Sequence, residues 1–213
     1  TTGISYGNTG GSTVNTGYYS GGGGGGAGAA GGTISALNST GGSGGDGVYK
    51  ATVGGVDYTF STLFGTTSYG VLNGGFYYFA GGGGGGTYNS GSVGAAGGPG
   101  GKGGGGKGGG DSATSGQDQR PGLGGINNTG SGGGGGGGYA NQKGGDGGSG
   151  IILIRYSPVN HPFVSSPGVS IVPINTNGDY YAAFTSGTYN VTFNRSVTCD
   201  VLMVGGGGGG GGG

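Results

Sequence analysis

Few residues in this chain could do covalent chemistry. Its one histidine, His161, precedes Pro162 and has no second potential ligand close by in sequence. Its one cysteine, Cys199, can form no disulfide within the chain and reads as a small, strand-borne apolar residue. Seven acidic residues, all aspartate, balance seven cationic ones to a net charge of zero. They form no paired-carboxylate, Ser-His-Asp or His/Cys metal-ligand spacing. So many glycines suggest a phosphate-binding loop, but that loop needs Lys followed by Ser or Thr. Here Lys102 precedes Gly103 and Lys107 precedes Gly108. The expectation is a protein that is not an enzyme and takes no cofactor and no metal. The arginines are Arg120, Arg155 and Arg195, with no RGG tripeptide, so no nucleic-acid partner is expected. No stretch of about 18 apolar residues occurs, so no membrane insertion is expected either.

The remaining chemistry is non-covalent. Tyr88, Asn89, Gln117, Gln119, Tyr139 and Asn141 lie at the ends of glycine runs or in polar stretches between them. Tyr rings can stack on sugar faces, and amides and hydroxyls can hydrogen-bond to sugar hydroxyls. These six residues are the candidate receptor-binding set, and loops 66–75, 87–93, 111–129 and 139–143 are the candidate binding loops. The alternative is that these loops are only connectors. Asn38, Asn127, Asn190 and Asn194 each open an Asn-x-Ser/Thr sequon.

Something must position these loops, and the sequence offers mainly glycine, 73 residues of 213. Collagen is excluded, because glycines run consecutively and only six prolines occur. Disorder is the competing reading for a glycine-rich chain. Against it stand 14 Tyr and 7 Phe, sparse charge, and apolar strand-like segments beside the glycine runs. The runs are Gly21–Gly26, Gly81–Gly86, Gly132–Gly138 and Gly205–Gly213. Ordering a backbone costs on the order of 1–2 kcal/mol per residue, so a lone run would be a floppy linker. Packed side by side, however, such runs can form left-handed polyglycine II helices of about 3.1 Å per residue, whose N–H and C=O groups pair with neighbouring rods. The lattice positions expected at the run ends are Gly21, Gly26, Gly81, Gly86, Gly132, Gly138, Gly205 and Gly213. The fold class is therefore mostly irregular and β: a bundle of packed polyglycine II helices with short flanking antiparallel strands and no α-helix.

Along the chain, residues 33–47 read as turns. Val48 to Phe64 reads as a hairpin around Gly54-Gly55, and Phe76 to Ala80 as an aromatic strand. Residues 87–131 read as loop. Ile151 to Tyr156 is the clearest strand. Residues 157–178, with four of the six prolines, read as a linker. Strands are expected over Tyr180 to Phe184, Thr188 to Phe193 and Val197 to Val204.

Two segments carry a resemblance. Phe184-Thr185-Ser186-Gly187-Thr188-Tyr189-Asn190-Val191-Thr192-Phe193, followed by Asp200-Val201-Leu202-Met203-Val204-Gly205, resembles the opening of glycine-rich domains in phage tail-fibre proteins. Gly148-Ser149-Gly150-Ile151-Ile152-Leu153-Ile154-Arg155-Tyr156 resembles their closing strand. In the distal adhesins of T-even-like phages, similar runs form a polyglycine II sandwich whose loops bind host receptors. The resemblance implies a lattice built from the four runs. It assigns no binding residue, because those loops vary. A closing strand that precedes an opening suggests a piece of a tandem array. The division implied is a glycine-rich unit over 1–156, a linker over 157–178, and over 179–213 the opening of a next unit. Residues 205–213 are then expected to pair with a second copy, the alternative being the chain's own rods, closing a lattice of four. The function implied is a fibre or adhesin component at a virion or extracellular surface. Its partners would be copies of itself or other fibre subunits, and a cell-surface glycan or outer-membrane receptor. The alternatives are a purely structural extracellular filament and, less in keeping with the irregular runs, an ice-binding protein.

Overall fold

The computed structural model describes residues 3–13, 20–34, 40–65, 69–87, 96–110, 120–138, 142–157, 162–164, 170–173, 178–193 and 196–212. Two kinds of structure make up the fold, a glycine framework and a layer of short strands at one end of it.

In the framework, extended glycine segments bond to one another at every third residue of both partners. Gly21 and Gly24 donate to the carbonyls of Gly86 and Gly83, both at 2.8 Å. Gly82 and Gly85 donate to Gly45 and Gly42, both at 2.8 Å. Gly132 and Gly135 donate to Gly81 and Gly84, both at 2.9 Å. The segments approach so closely that a side chain has no room. A Cβ on Gly84 would lie 2.0 Å from the Gly98 carbonyl oxygen, and one on Gly133 would lie 2.0 Å from that of Gly145.

The framework is larger than the bare runs. Segments 41–47, 97–110, 120–126 and 144–150, within or beyond stretches read as turn and loop, also join it by backbone bonds. Their sequences explain why. Gly41-Gly42-Ser43-Gly44-Gly45-Asp46 and Gly144-Gly145-Asp146-Gly147-Gly148-Ser149 are Gly-Gly-x triplets. Ser43, Asp146 and Ser149 are exposed, while Gly42, Gly45, Gly145 and Gly148 are buried. One side chain every third residue can point outward from such a segment without meeting a neighbour.

The strand layer starts with two hairpins. β1 (Lys50–Val53) pairs with β2 (Val56–Thr59). β3 (Val71–Asn73) pairs with β4 (Phe76–Tyr78). Their two-residue turns, Gly54-Gly55 and Gly74-Gly75, have φ values of +57°/+83° and +57°/+87°. Positive φ at both central residues is what tight hairpin turns require, and glycine supplies it without strain.

The sequence reading expected no helix and carried the hairpin to Phe64. Instead the strand ends at Thr59, and α1 (Phe60–Phe64) follows. The Thr59 hydroxyl caps it by accepting from the Thr62 N–H at 3.1 Å. Phe60 and Phe64, four apart, then share one buried face. So short a helix is held by that packing rather than by its own propensity.

The main sheet has the order β10 (Asp200–Val204), β5 (Ile151–Tyr156), β8 (Tyr180–Phe184), β7 (Ser170–Pro173), all antiparallel. β6 (Pro162–Val164) and β9 (Val191–Phe193) form a separate pair. Alternation makes two faces. Ile151, Leu153, Tyr181 and Ala183 pack on Phe60, Phe64 and Phe79. Tyr156, Ala182 and Phe184 pack on the other side with Ile154, Tyr180 and Tyr189. Phe64 meets Tyr181 edge-on at 6.2 Å, and Phe60 meets Phe79 at 5.7 Å.

The stretch read as a linker thus carries β6 and β7, and β7 extends the main sheet. The last segment also folds onto its own chain. β10 pairs with β5 over Asp200↔Arg155 to Val204↔Ile151. Arg155 holds Asp179 at 2.6 Å and Asp200 at 3.2 Å. Gly207 and Gly210 donate to Gly148 and Gly145, at 2.9 and 2.8 Å, and the Gly208 and Gly211 carbonyls accept from Gly133 and Gly136. The expected pairing with a second copy is replaced here by pairing with the chain's own framework, since Gly144–Gly150 and Gly132–Gly138 offer the same three-residue spacing. Gly213 lies outside the described residues.

Candidate functional site

The framework has two unlike ends, and its bonds say which residues sit at each. Pairs such as Gly21 with Gly86, Gly109 with Gly135, and Gly136 with Gly211 lie toward one end. Pairs such as Gly82 with Gly45, Gly132 with Gly81, and Gly148 with Ser131 lie toward the other.

At the first end, three of the expected binding loops leave from adjoining anchors. Thr87 is buried. It donates to the Gly109 carbonyl at 3.1 Å and accepts from the Gly138 N–H at 3.0 Å. The Gly110 carbonyl accepts from Arg120, and the Gly137 carbonyl accepts from Gln142 at 3.2 Å. Segments 88–95, 111–119 and 139–141 therefore start and finish around one cluster of backbone bonds. They hold Tyr88 and Asn89, Gln117 and Gln119, and Tyr139 and Asn141, all six outside the described residues. Ser20 and Gly41 lie at this end as well, through the Ser20–Thr87 bridge and the bond from Gly41 to Ala96.

The other two expected loop portions go elsewhere. Residues 120–126 run within the framework, with Leu123 donating to Lys107, and reach a turn at Asn127 to Gly130. Residues 69–75 enter β3 at the opposite end.

That opposite end carries a group of side chains of which the sequence reading named none as a candidate binding residue. Tyr49 sits between the two hairpins, with its ring 4.7 Å from Phe76 and 5.0 Å from Tyr78. On the hairpins Val56, Tyr58 and Leu72 are 53%, 41% and 59% exposed. Lys50 binds Asp57, and Thr52 donates to the other Asp57 oxygen at 2.6 Å. The hydrogen bond to Asp57 raises the Lys50 ammonium above its usual range. The bonds from Lys50 and Thr52 hold the Asp57 carboxyl below its own. Lys102 reaches Asp46 at 3.1 Å, a hydrogen bond that likewise raises its ammonium, and lies 5.7 Å over the Tyr78 ring. The patch can present ring edges, methyls and fixed charges to a partner. The signal for it was the repeated Gly-Gly turn between strand-forming residues, Val53-Gly54-Gly55-Val56 and Asn73-Gly74-Gly75-Phe76.

No helix among the described residues is long and apolar enough to cross a membrane. Searched against protein-family models, curated proteins and solved structures, the chain matches none.

Proposed function

We propose that this chain is a fibre-type adhesin module, displayed at an extracellular or virion surface, in which a rigid glycine framework presents recognition loops at one end. The framework is a bundle of polyglycine II rods. Three-residue bond spacing supports this reading. It matches the three residues per turn of that helix and differs from the two-residue repeat of a strand. A rod of this kind is stiff because its neighbours hold it, and it needs no side-chain core.

The observation that carries the functional reading is the convergence of the anchors of segments 88–95, 111–119 and 139–141 around Thr87. Loops that vary freely while sharing a rigid base are a recurrent design for recognition. Tyr, Asn and Gln in those loops suit a glycan or an outer-membrane receptor. The resemblance of 148–156 and 184–205 to phage tail-fibre glycine-rich domains points the same way. The test replaces Tyr88, Asn89, Gln117, Gln119, Tyr139 and Asn141 by alanine, singly and together, and measures binding to a glycan array and to bacterial cells. Loss of binding with an unchanged melting temperature is expected. Unchanged binding across all six would remove the adhesin reading and leave a purely structural filament.

A further inference from the structure

A groove of about 450 Å³ runs along one side of the glycine framework, between the 21–24 and 209–212 segments, with Gly83 to Gly86 and Gly133 to Gly136 contributing its floor. Its floor holds backbone groups that the chain leaves unused. Gly83 is buried and Gly86 half-buried. Their carbonyls accept from Gly24 and Gly21, but their N–H groups donate to no described residue. The Gly133 and Gly136 carbonyls likewise accept from none. Both pairs are three residues apart, the spacing of the bonds that join the framework's own rods. Buried backbone N–H groups are rarely left unpaired.

We propose that this groove is a rod position filled by the 205–212 run of a second copy of the chain, each copy lending its run to the other. This rests on the polyglycine II reading above. The occupant must offer acceptors at every third residue, about 9 Å apart. A β-strand offers them at every second residue with side chains between, and so falls out of step. The occupant must also be bare, because a Cβ within the framework meets carbonyl oxygens at about 2 Å, as at Gly83 and Gly86. The 205–212 run meets both conditions. Its Gly206, Gly207, Gly209 and Gly210 carbonyls accept from no described residue of their own chain. A Cβ on Gly205, Gly208 or Gly211 would meet nothing within 4 Å, so that side of the run is free to receive another rod. Groove and run adjoin on one surface, as a two-fold, self-complementary contact requires.

Sedimentation equilibrium of the full chain tests this against a Gly21→Ala/Gly211→Ala double variant. A methyl on Gly21 comes no closer than 3.6 Å to its neighbours, and one on Gly211 meets nothing within 4 Å. The monomer fold therefore accepts both, while the methyls stand on the proposed contact. The parent is expected to dimerise and the variant to lose roughly tenfold or more in association at the same melting temperature. Amide exchange at Gly83 and Gly86 supplies a reading that needs no variant, with protection expected to rise with protein concentration. A monomeric parent, an undiminished dimer in the variant, or exchange independent of concentration overturns the proposal. A Gly84→Val variant separates the two readings. If it melts like the parent, the polyglycine reading fails. If it unfolds while the double variant still dimerises, only the groove is wrong.

Discussion

The framework and the strand layer keep their shapes by opposite means. In the layer, Leu153, Phe64 and Phe79 are essentially fully buried, and side chains supply the cohesion. In the framework the most tightly packed positions have no side chain, and cohesion comes from backbone bonds such as Gly85 to Gly42 and Gly101 to Gly82. Each region should then fail by the opposite substitution, the layer when a side chain shrinks and the framework when one is added.

The largest effect is expected from addition. Gly84→Val would place Cβ 2.0 Å from the Gly98 carbonyl oxygen, with backbone rather than a yielding side chain as the obstacle. A loss above about 4 kcal/mol, a large share of a typical domain's stability, is expected and would be read by thermal melting. Subtraction in the layer comes next. Phe64→Ala empties the contact with Tyr181 and should cost about 3–5 kcal/mol in urea denaturation.

A smaller effect separates the regions by pH. Burial raises the Tyr181 phenol above its ordinary value near 10, and burial does the same to Tyr156. A raised acid is held neutral by the fold. Its contribution is fully present below the unfolded value and is lost as pH rises through the folded one. Stability should therefore fall above about pH 10, and Tyr181→Phe should flatten that fall. The exposed Lys102–Asp46 pair of the framework also weakens as its raised ammonium loses its proton, so the part of the alkaline loss that Tyr181→Phe removes is the part that traces to the layer. The smallest effect is expected at the outward positions of the triplets. Lys107 is exposed. Lys107→Ala should change stability by no more than about 0.5 kcal/mol. A large loss there would show that the third position is not free.

Much of the layer was legible in the sequence. Ile151–Tyr156 and Tyr180–Phe184 are strands with the bounds expected, because dense apolar residues between turn signals leave little choice. The helix was hidden, since Phe60 continues the alternation of Val56 and Tyr58. Only the capping chemistry of Thr59 and the four-residue spacing to Phe64 distinguish it. The prolines of 157–178 obscured β7, which pairs with β8 alone and so sits at the sheet edge, where proline is tolerated. The bare runs advertised the framework, but half of its segments did not. Gly41 to Gly47 and Gly144 to Gly150 look like loops until the triplet period is counted. The six candidate loop residues show how far a sequence can go. Their types suggested recognition, but only the bonds around Thr87 bring the residues flanking their segments to one end.

The three-residue spacing of bonds between glycine segments is what sets the framework apart from a sheet or a linker. Through-hydrogen-bond NMR couplings on the isotope-labelled chain measure it. Couplings are expected from the Gly82 amide to the Gly45 carbonyl, from Gly85 to Gly42, from Gly132 to Gly81 and from Gly135 to Gly84. Their absence, with glycine amides exchanging as in an open chain, would contradict the framework and return the runs to linkers.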